Sequence, residues 1–422
     1  MAVQNTNGHT GAKSTTVPFI DLAFDVHDPD SSVRKLVYWV RPKWRDCSQE
    51  LKITKFTEGI TNTLLQVSRH GPDTSQSEAD SNSILMRAYG NDTDLIIDRD
   101  REAISHSLLA DRGMAPPLLA RFQNGLLYGF IPGKVCKAQD LTREPVWRGV
   151  AQKLGEWHAR IPISGISSQP LVLNGANGHA NGHCAASKTH NARSKANPLA
   201  SRSPIPNVWS VMQNWVNALS TNTEKERARK EMLQQELERS FEELDSEDGI
   251  GEHGFVFAHC DLLCANVIQL QSPDAPSAPD IQPVTFIDYE YATPAPAVFD
   301  ISNHFAEWAG YDCDYSMVPT KSVRRGFLEE YVASYSKYSN LKLDVSTVDS
   351  LYQDIDRWRG IPGLYWGIWS LIQARISEID FDYASYAEER LGEYFAWRSE
   401  TDGTRTRDGG KMPLRERRWA EE

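Results

Sequence analysis

Five residues able to do chemistry crowd into the run FAHCDLLCANVIQL: His259, Cys260, Asp261, Cys264 and Asn266. As a metal site, His259, Cys260 and Cys264, with His253 nearby, would supply nitrogen and sulfur donors. No second pair at zinc-finger or zinc-ribbon spacing accompanies them. As a thiol site, the run lacks the base and orienting group that a nucleophilic cysteine needs, because an extended backbone turns adjacent His259 away. A buried strand end with a satisfied histidine is a plainer alternative.

Spacing points to a further chemistry. His259-x-Asp261-x-x-x-x-Asn266 fits the H-x-D-x-x-x-x-N loop of protein-kinase-like enzymes, where the Asp accepts a hydroxyl proton and the Asn holds Mg²⁺. Such a loop needs a second strand ending in a metal-binding carboxylate, since Mg²⁺ prefers oxygen. VTFIDYEY offers Asp288 after an apolar run, with Glu290 two positions on. A phosphate-contacting cation should precede them at a strand end, paired with a helix acid. Arg87 in ILMRAYG and Glu102 in the next helix fit these parts, Arg gripping phosphate oxygens as a fork. FTEGITNTL could be the phosphate loop, with Gly59, Thr61 and Asn62 facing ATP; with its single glycine, a plain hairpin turn is the alternative.

Positioning these residues requires two kinds of structure. SSVRKLVYWV reads as a helix stopped by Pro42, and LKITKFTEG, TNTLLQVSRH and SILMRAYG read as antiparallel strands. LIIDRDREAISHSLLADRG is a helix finished by Gly113, and Asn124-Gly125 marks a hairpin. After Pro132 the chain turns mostly helical, beginning with the stripe Val146, Val150, Leu154 and Trp157. TEKERARKEMLQQELERSFEEL reads as a solvated outer helix with Leu233, Leu237, Phe241 and Leu244 on one face. The expected fold class is α+β and two-lobed. A tail (1–16, disordered) precedes a β-rich N-terminal ATP-binding lobe (17–131) and a larger, mostly helical catalytic and substrate lobe (132–400). Residues 165–205, rich in Asn, Gly, Ala and Ser and carrying His179, His183 and Cys184, read as a flexible insertion; 401–422 read as a frayed tail.

Composition narrows the class. The chain has 422 residues and a formal net charge of −12, which repels nucleic-acid backbones and attracts small cations. Its six cysteines form no C-x-x-C pair, which favours reduced thiols. The first residues lack an apolar signal-peptide core, and no apolar run is long enough to cross a bilayer. The expectation is a cytoplasmic protein without stable membrane insertion; oligomeric state is not legible, a homodimer being one option.

FAHCDLLCANVI, FIDYEYATPAPAVFDISNHFAEWAG and YWGIWSLIQARISEIDFDYASYAEERL resemble the choline/ethanolamine kinase family, as do EGITNTL, ILMRAYG and LIIDRDREAISHSLL. The resemblance runs from about Leu51 to Trp397 outside the insertion. It implies a protein-kinase-like fold that moves the ATP γ-phosphate onto an amino alcohol, with ATP and Mg²⁺ as cofactors. Asp261 then resembles the catalytic base and also touches substrate. Asn266 and Asp288 resemble the Mg²⁺ ligands, Arg87 the phosphate contact with Glu102 as partner, and Asp300 a buried brace of the loop that His259 orients. The resemblance places Glu290, Glu307, Tyr315, Trp366, Trp369 and Tyr386 around the substrate, where aromatic faces and a carboxylate would hold an ammonium. The i, i+3 spacing of Trp366 and Trp369 fits core packing equally well. DLLCANVI is closer to the DLLCKNII of ethanolamine kinases than to the DCQEGNIL of choline kinases. The implied activity is ethanolamine phosphorylation, the first step toward phosphatidylethanolamine through CDP-ethanolamine; choline or dual specificity, or an inactive binding protein, are the alternatives.

The sequence departs from the family at Cys260, usually Asn, at Gly129, usually Glu or Gln, and in the 165–205 insertion.

Overall fold

The computed structural model describes residues 17–45, 51–56, 62–69, 75–90, 96–164, 199, 204, 206–270, 280–377 and 379–422. Gly59, Thr61, Cys47, His179, His183 and Cys184 lie outside them, as do residues 1–16 and nearly all of the 165–205 segment.

The first lobe contains β1 (Phe19–Ile20), α1 (Pro29–Val40), β2 (Leu51–Phe56), β3 (Asn62–Arg69), α2 (Gln76–Ser81), β4 (Ile84–Tyr89), α3 (Arg99–Asp111), β5 (Leu118–Phe122) and β6 (Gly125–Gly129). Its six strands form one sheet in the order β1-β5-β6-β4-β3-β2, antiparallel except for β1 on β5. Strand alternation explains its two faces. Ile84, Met86 and Ala88 of β4 join Val33, Leu36 and Val37 of α1 in one core. Leu85 and Arg87, on the opposite face, line the interlobe cleft. Arg87 stands mid-sheet, in register with Leu64 of β3 and Leu126 of β6. Gly125 is required in the hairpin: a Cβ there would lie 2.1 Å from the Arg87 carbonyl oxygen.

The second lobe begins with β7 (Lys134–Val135), α4 (Ala138–Leu141) and α5 (Glu144–Arg160), followed by α6 (Val208–Ala218) and α7 (Glu224–Leu244). Four short strands come next: β8 (Val256–Ala258), β9 (Val267–Gln269), β10 (Val284–Phe286) and β11 (Thr293–Ala295). The rest is helical: α8 (Ala297–Glu307), α9 (Lys321–Ser339), α10 (Val345–Trp358), α11 (Ile361–Ile376), α12 (Tyr383–Thr401), α13 (Thr404–Arg407) and α14 (Leu414–Trp419). The α5 stripe Val146, Val150, Leu154 and Trp157 is fully buried; each such large apolar side chain is worth about 1.5–3 kcal/mol in transfer energy. Ile96, Ile97, Leu109 and Met114 of the first lobe pack into this second core, so the segment around α3 belongs to both lobes.

Two expectations change here. The chain end is not frayed: α14 packs on the lobe, with Trp419 and the charged pair Arg415 and Glu416 all buried. Within the expected flexible insertion, Leu199 is buried in the second core.

Candidate active site

The pairing of β9 with β10 explains why residues far apart in sequence meet. The strands are antiparallel, with Val267 opposite Phe286, so the start of β9 lies beside the end of β10. Asn266 immediately precedes one strand and Asp288 follows the other. The Ile287 N–H donates to the Asn266 carbonyl at 3.0 Å and locks that junction.

The loop from β8 to β9 is held by one face of α8. Asp300 accepts the backbone N–H groups of His259 and Cys260, both at 2.8 Å, and contacts His158 Nε2 at 3.0 Å. One turn on, Asn303 Nδ2 donates to the Cys260 carbonyl at 2.9 Å, and His304 Nδ1 donates to the Leu262 carbonyl at 2.7 Å. Positions i, i+3 and i+4 share one helix face, so three side chains grip the backbone of His259, Cys260 and Leu262. Burial opposes ionisation of Asp300, yet the His158 ring and the two backbone donors hold its carboxyl below the ordinary range. The grip also stabilises a costly backbone: Cys260 has φ of 62° and Asp288 φ of 66°, left-handed values that cost a non-glycine residue about 1–2 kcal/mol.

His259 does not face the reacting groups. It is buried, burial keeps its pKa below the usual value, and Nε2 donates to the Ile287 carbonyl at 3.0 Å. It thus ties the loop to the strand end that carries Asp288. Cys260 is fully buried with Sγ directed to the Thr293 carbonyl, and burial pushes its thiol well above the ordinary value. Asn266 Nδ2 donates to the Asp261 backbone carbonyl at 2.8 Å and to Asp261 Oδ2 at 3.0 Å. The amide nitrogen being spent, its carbonyl oxygen is the end left for a cation. With the Asp288 carboxylate this makes an all-oxygen donor pair, which fits Mg²⁺, an ion that retains waters and takes further ligands from phosphates.

Asp261 is buried, and its pKa is raised well above the ordinary carboxylate value. Burial is the main cause, followed by the charges of Asp288, Glu307 and Glu290. A carboxylate whose pKa is raised holds a proton more readily, the property a proton acceptor needs.

The cleft between the lobes is lined by Leu64, Leu85, Tyr128, Phe130, Ile268 and Ile287, apolar walls suited to a nucleobase. Asn62, Arg87, Asn266 and Asp288 also line it, and so does Gly129. A Cβ at Gly129 would touch Pro116 and Pro117 at 3.4 Å, ordinary contact that leaves the backbone undisturbed. Arg87 sits 2.5 Å from Asp288 Oδ1 and 3.5 Å from Glu102 Oε1, and its other arm meets Glu290. Arg99 stands 3.0 Å from both Glu102 and Glu290. Burial disfavours charge on Arg87, but Asp288, Glu290 and Glu102 hold the guanidinium firmly protonated. Glu290 pairs with the two arginines, and its charge also acts on Asp261 and Tyr291; burial pushes its carboxyl up to about 7.

On the other side of Asp261, Trp366 and Trp369 of α11 anchor their indole N–H groups, on Asn303 Oδ1 at 2.8 Å and on the Tyr291 hydroxyl at 2.9 Å. The two rings lie edge to face with centroids 5.4 Å apart. Glu307, at the end of α8, pairs with Arg390 Nη2 at 3.0 Å; burial raises its pKa against that cation. Tyr386 packs against Phe381 and Tyr311. Tyr315 turns aside: its hydroxyl donates to Glu389 at 2.5 Å. The tyrosine standing beside Tyr386, within the field of Asp261 and Glu307, is Tyr311, a residue 40% exposed.

A model described as choline/ethanolamine kinase matches residues 53–395. The chain belongs to the choline/ethanolamine kinase family. Like its family, it is a kinase. It is 32% identical over 387 residues to a probable ethanolamine kinase of Nematostella vectensis, covering 90% of this chain and 96% of that one. It is 30% identical over 407 residues to ethanolamine kinase 1 of Mus musculus, covering 93% and 96%. Among solved structures it resembles an ethanolamine kinase of Plasmodium vivax, with TM-score 0.61 and 21% identity over 88% of this chain and 90% of the other. A choline kinase from Cryptosporidium parvum gives TM-score 0.58 and 19% identity over 89% and 97%. These two likenesses establish the two-lobed fold of this family member.

Within this kinase the structure brings Asp261, Asn266, Asp288, Arg87, Glu102 and Glu290 together; Trp366 and Trp369 pack on each other and on Tyr291, and Glu307 acts on Asp261 and Tyr386. Asn62 is at the start of β3 and lines the cleft. Sequence reasoning passed over His158, Arg99, Tyr291, Asn303, His304, Tyr311 and Arg390. A histidine on the buried side of α5, next to Trp157, was the one visible signal for His158.

Proposed function

We propose that this kinase transfers the γ-phosphate of ATP to the hydroxyl of ethanolamine. The product is phosphoethanolamine, and the reaction is the first step of the CDP-ethanolamine route to phosphatidylethanolamine. One observation carries the reading: Asp261, a buried carboxylate of raised pKa, is hydrogen-bonded by Asn266, which lines the cleft with Arg87 and Asp288, and lies in the field of Glu307. Asp261 orients the hydroxyl and accepts its proton as the oxygen attacks in line. Arg87 steadies the transferred phosphate, and Arg99 with Glu102 and Glu290 fixes Arg87 in place. Asn266 and Asp288 would hold Mg²⁺, whose charge offsets that building up on the phosphoryl oxygens. The indole faces of Trp366 and Trp369, with Tyr386 and Tyr311, would contact the ammonium, and Glu307 adds Coulomb attraction.

The division of labour follows the lobes: residues 17–131 bind ATP, and 132–400 supply catalysis and the amine pocket. No helix of the described residues is long and apolar enough to cross a membrane, which accords with action on a small amino alcohol in the cytoplasm. A coupled ADP-release assay with ethanolamine, choline and no acceptor tests the reading. Ethanolamine-dependent release with the higher kcat/KM supports it; release that ignores both amines contradicts it.

A further inference from the structure

The helix that ends the chain lies beyond the stretch matched by the family model, yet it is joined to the amine pocket by buried charges. The path starts at Glu307, whose Oε1 is 3.0 Å from Arg390 Nη2. Arg390 Nη1 is 3.6 Å from Glu393 Oε1, and Glu393 Oε2 is 3.7 Å from Arg415 Nε on α14. Arg415 reaches Glu416 at 3.4 Å, and Glu416 meets Arg359 at 2.7 Å. Three carboxylates alternate with three guanidiniums, and all but Arg359 are nearly inaccessible to water. Tyr386, Arg390 and Glu393 stand at i, i+4 and i+7 on α12. One stripe of that helix therefore offers a ring to the pocket, a cation to Glu307 and an anion to α14.

A second arm runs from the same short helix. Arg418 Nε donates to the Val318 carbonyl at 3.0 Å, just past the segment bearing Tyr311 and Tyr315. Trp419 is clamped between the Arg324 guanidinium, 3.8 Å from its ring, and Asp356, which accepts its Nε1–H at 2.6 Å. The first arm ends at Glu307 and the second at Val318, in the segment that follows Tyr315, and no residue of either lines the nucleotide cleft.

We propose that α14 is the outer anchor of the amine subsite: Arg415 fixes Glu393, Glu393 fixes Arg390, and Arg390 orients the Glu307 carboxylate toward the substrate ammonium. This rests on the amino-alcohol kinase reading above. Arg390 engages Oε1 of Glu307, so the second oxygen is the one available to an ammonium. In a buried chain of alternating charge each ion is compensated by its neighbours, and removing one leaves the next unpaired in a poor solvent for charge. The displaced partner then rotates or neutralises, and a neutral Glu307 attracts no cation. Arg390, Glu393 and Arg415 are thus positioning residues for the amine, and the last turn of the chain helps set its affinity.

Steady-state kinetics on the full chain, on Arg415→Gln, on Arg415→Lys and on a chain stopped after Lys411 test this, with ethanolamine and ATP varied in turn. The expected result is a KM for ethanolamine roughly tenfold higher in Arg415→Gln and in the shortened chain, with the KM for ATP within about twofold. Arg415→Lys, which keeps the charge, should recover most of the loss. If the shortened chain does not fold, the two point variants decide. Unchanged KM for ethanolamine in a folded Arg415→Gln protein would overturn the proposal, as would a parallel rise in both KM values. An unaltered chain that releases no ADP with ethanolamine would instead sink the underlying reading.

Discussion

Arg87 Nη1 lies 2.5 Å from Asp288 Oδ1, so the cation proposed to bind phosphate and the carboxylate proposed to hold Mg²⁺ neutralise each other across the lobes. ATP with Mg²⁺ offers each of them a replacement partner of opposite charge. The exchange is local because Glu102 and Glu290, both buried, keep Arg87 in place. Replacing Arg87 by Ala strands those two acids, with an expected loss of about 3–5 kcal/mol in unfolding free energy, read by urea denaturation. Lys retains charge but not the fork that spans Asp288 and Glu290, so Arg87→Lys should fold better than Arg87→Ala while its KM for ATP rises roughly tenfold.

The raised pKa of Asp261 has consequences of opposite sign for activity and for stability. Protonated Asp261 accepts nothing, so kcat should fall as pH drops through a value above the ordinary carboxylate range. For stability, the folded state keeps a proton that the unfolded chain has already lost. Asp261 therefore destabilises the fold progressively as pH rises from its unfolded value of 3.8 through its higher folded value. Asp261→Asn should lower kcat about 10²–10⁴-fold. The same variant should melt at a higher temperature than the unaltered chain at pH 8, with the gap shrinking at pH 5. A melting difference that is independent of pH would contradict the assignment.

Cys260 is held at φ 62° with its thiol fully buried. Asn tolerates the left-handed region better than Cys, and its amide can donate to the Thr293 carbonyl that Sγ now faces. Cys260→Asn should therefore keep activity within about threefold and not reduce stability, whereas Cys260→Val, β-branched at positive φ, should cost about 1–2 kcal/mol or more. Thiol alkylation of the native protein, mapped by mass spectrometry, should leave Cys260 unmodified.

That Asp261, Asn266 and Asp288 would meet was legible because their spacing obeys the geometry of two paired strand ends, β9 and β10. Trp366 and Trp369 were found by type, but their spacing could not distinguish a pocket from a core. Both rings belong to the second core, with indole N–H groups on Asn303 and Tyr291. Tyr311 and Tyr315 stand in one irregular segment, and where its loop turns is not legible in the sequence: the Tyr315 hydroxyl finds Glu389, while Tyr311 lies beside Tyr386. The grip of His158 on Asp300 and of Arg390 on Glu307 joins residues distant in the chain, which no local pattern encodes. The ordered end of the chain was missed for a related reason. LRERRW reads as solvated, and only partners contributed by α10, α12 and α9 make its charges buried ones.

The central claim is that Asp261 accepts the proton of an amino-alcohol hydroxyl as that oxygen takes the γ-phosphate of ATP. ADP release measured with ethanolamine and without acceptor, for the unaltered chain and for Asp261→Asn at saturating ATP and Mg²⁺, tests it most directly. The account predicts ethanolamine-dependent turnover in the first protein and its loss in the second, with ATP still bound by both. Near-normal turnover by Asp261→Asn would contradict it.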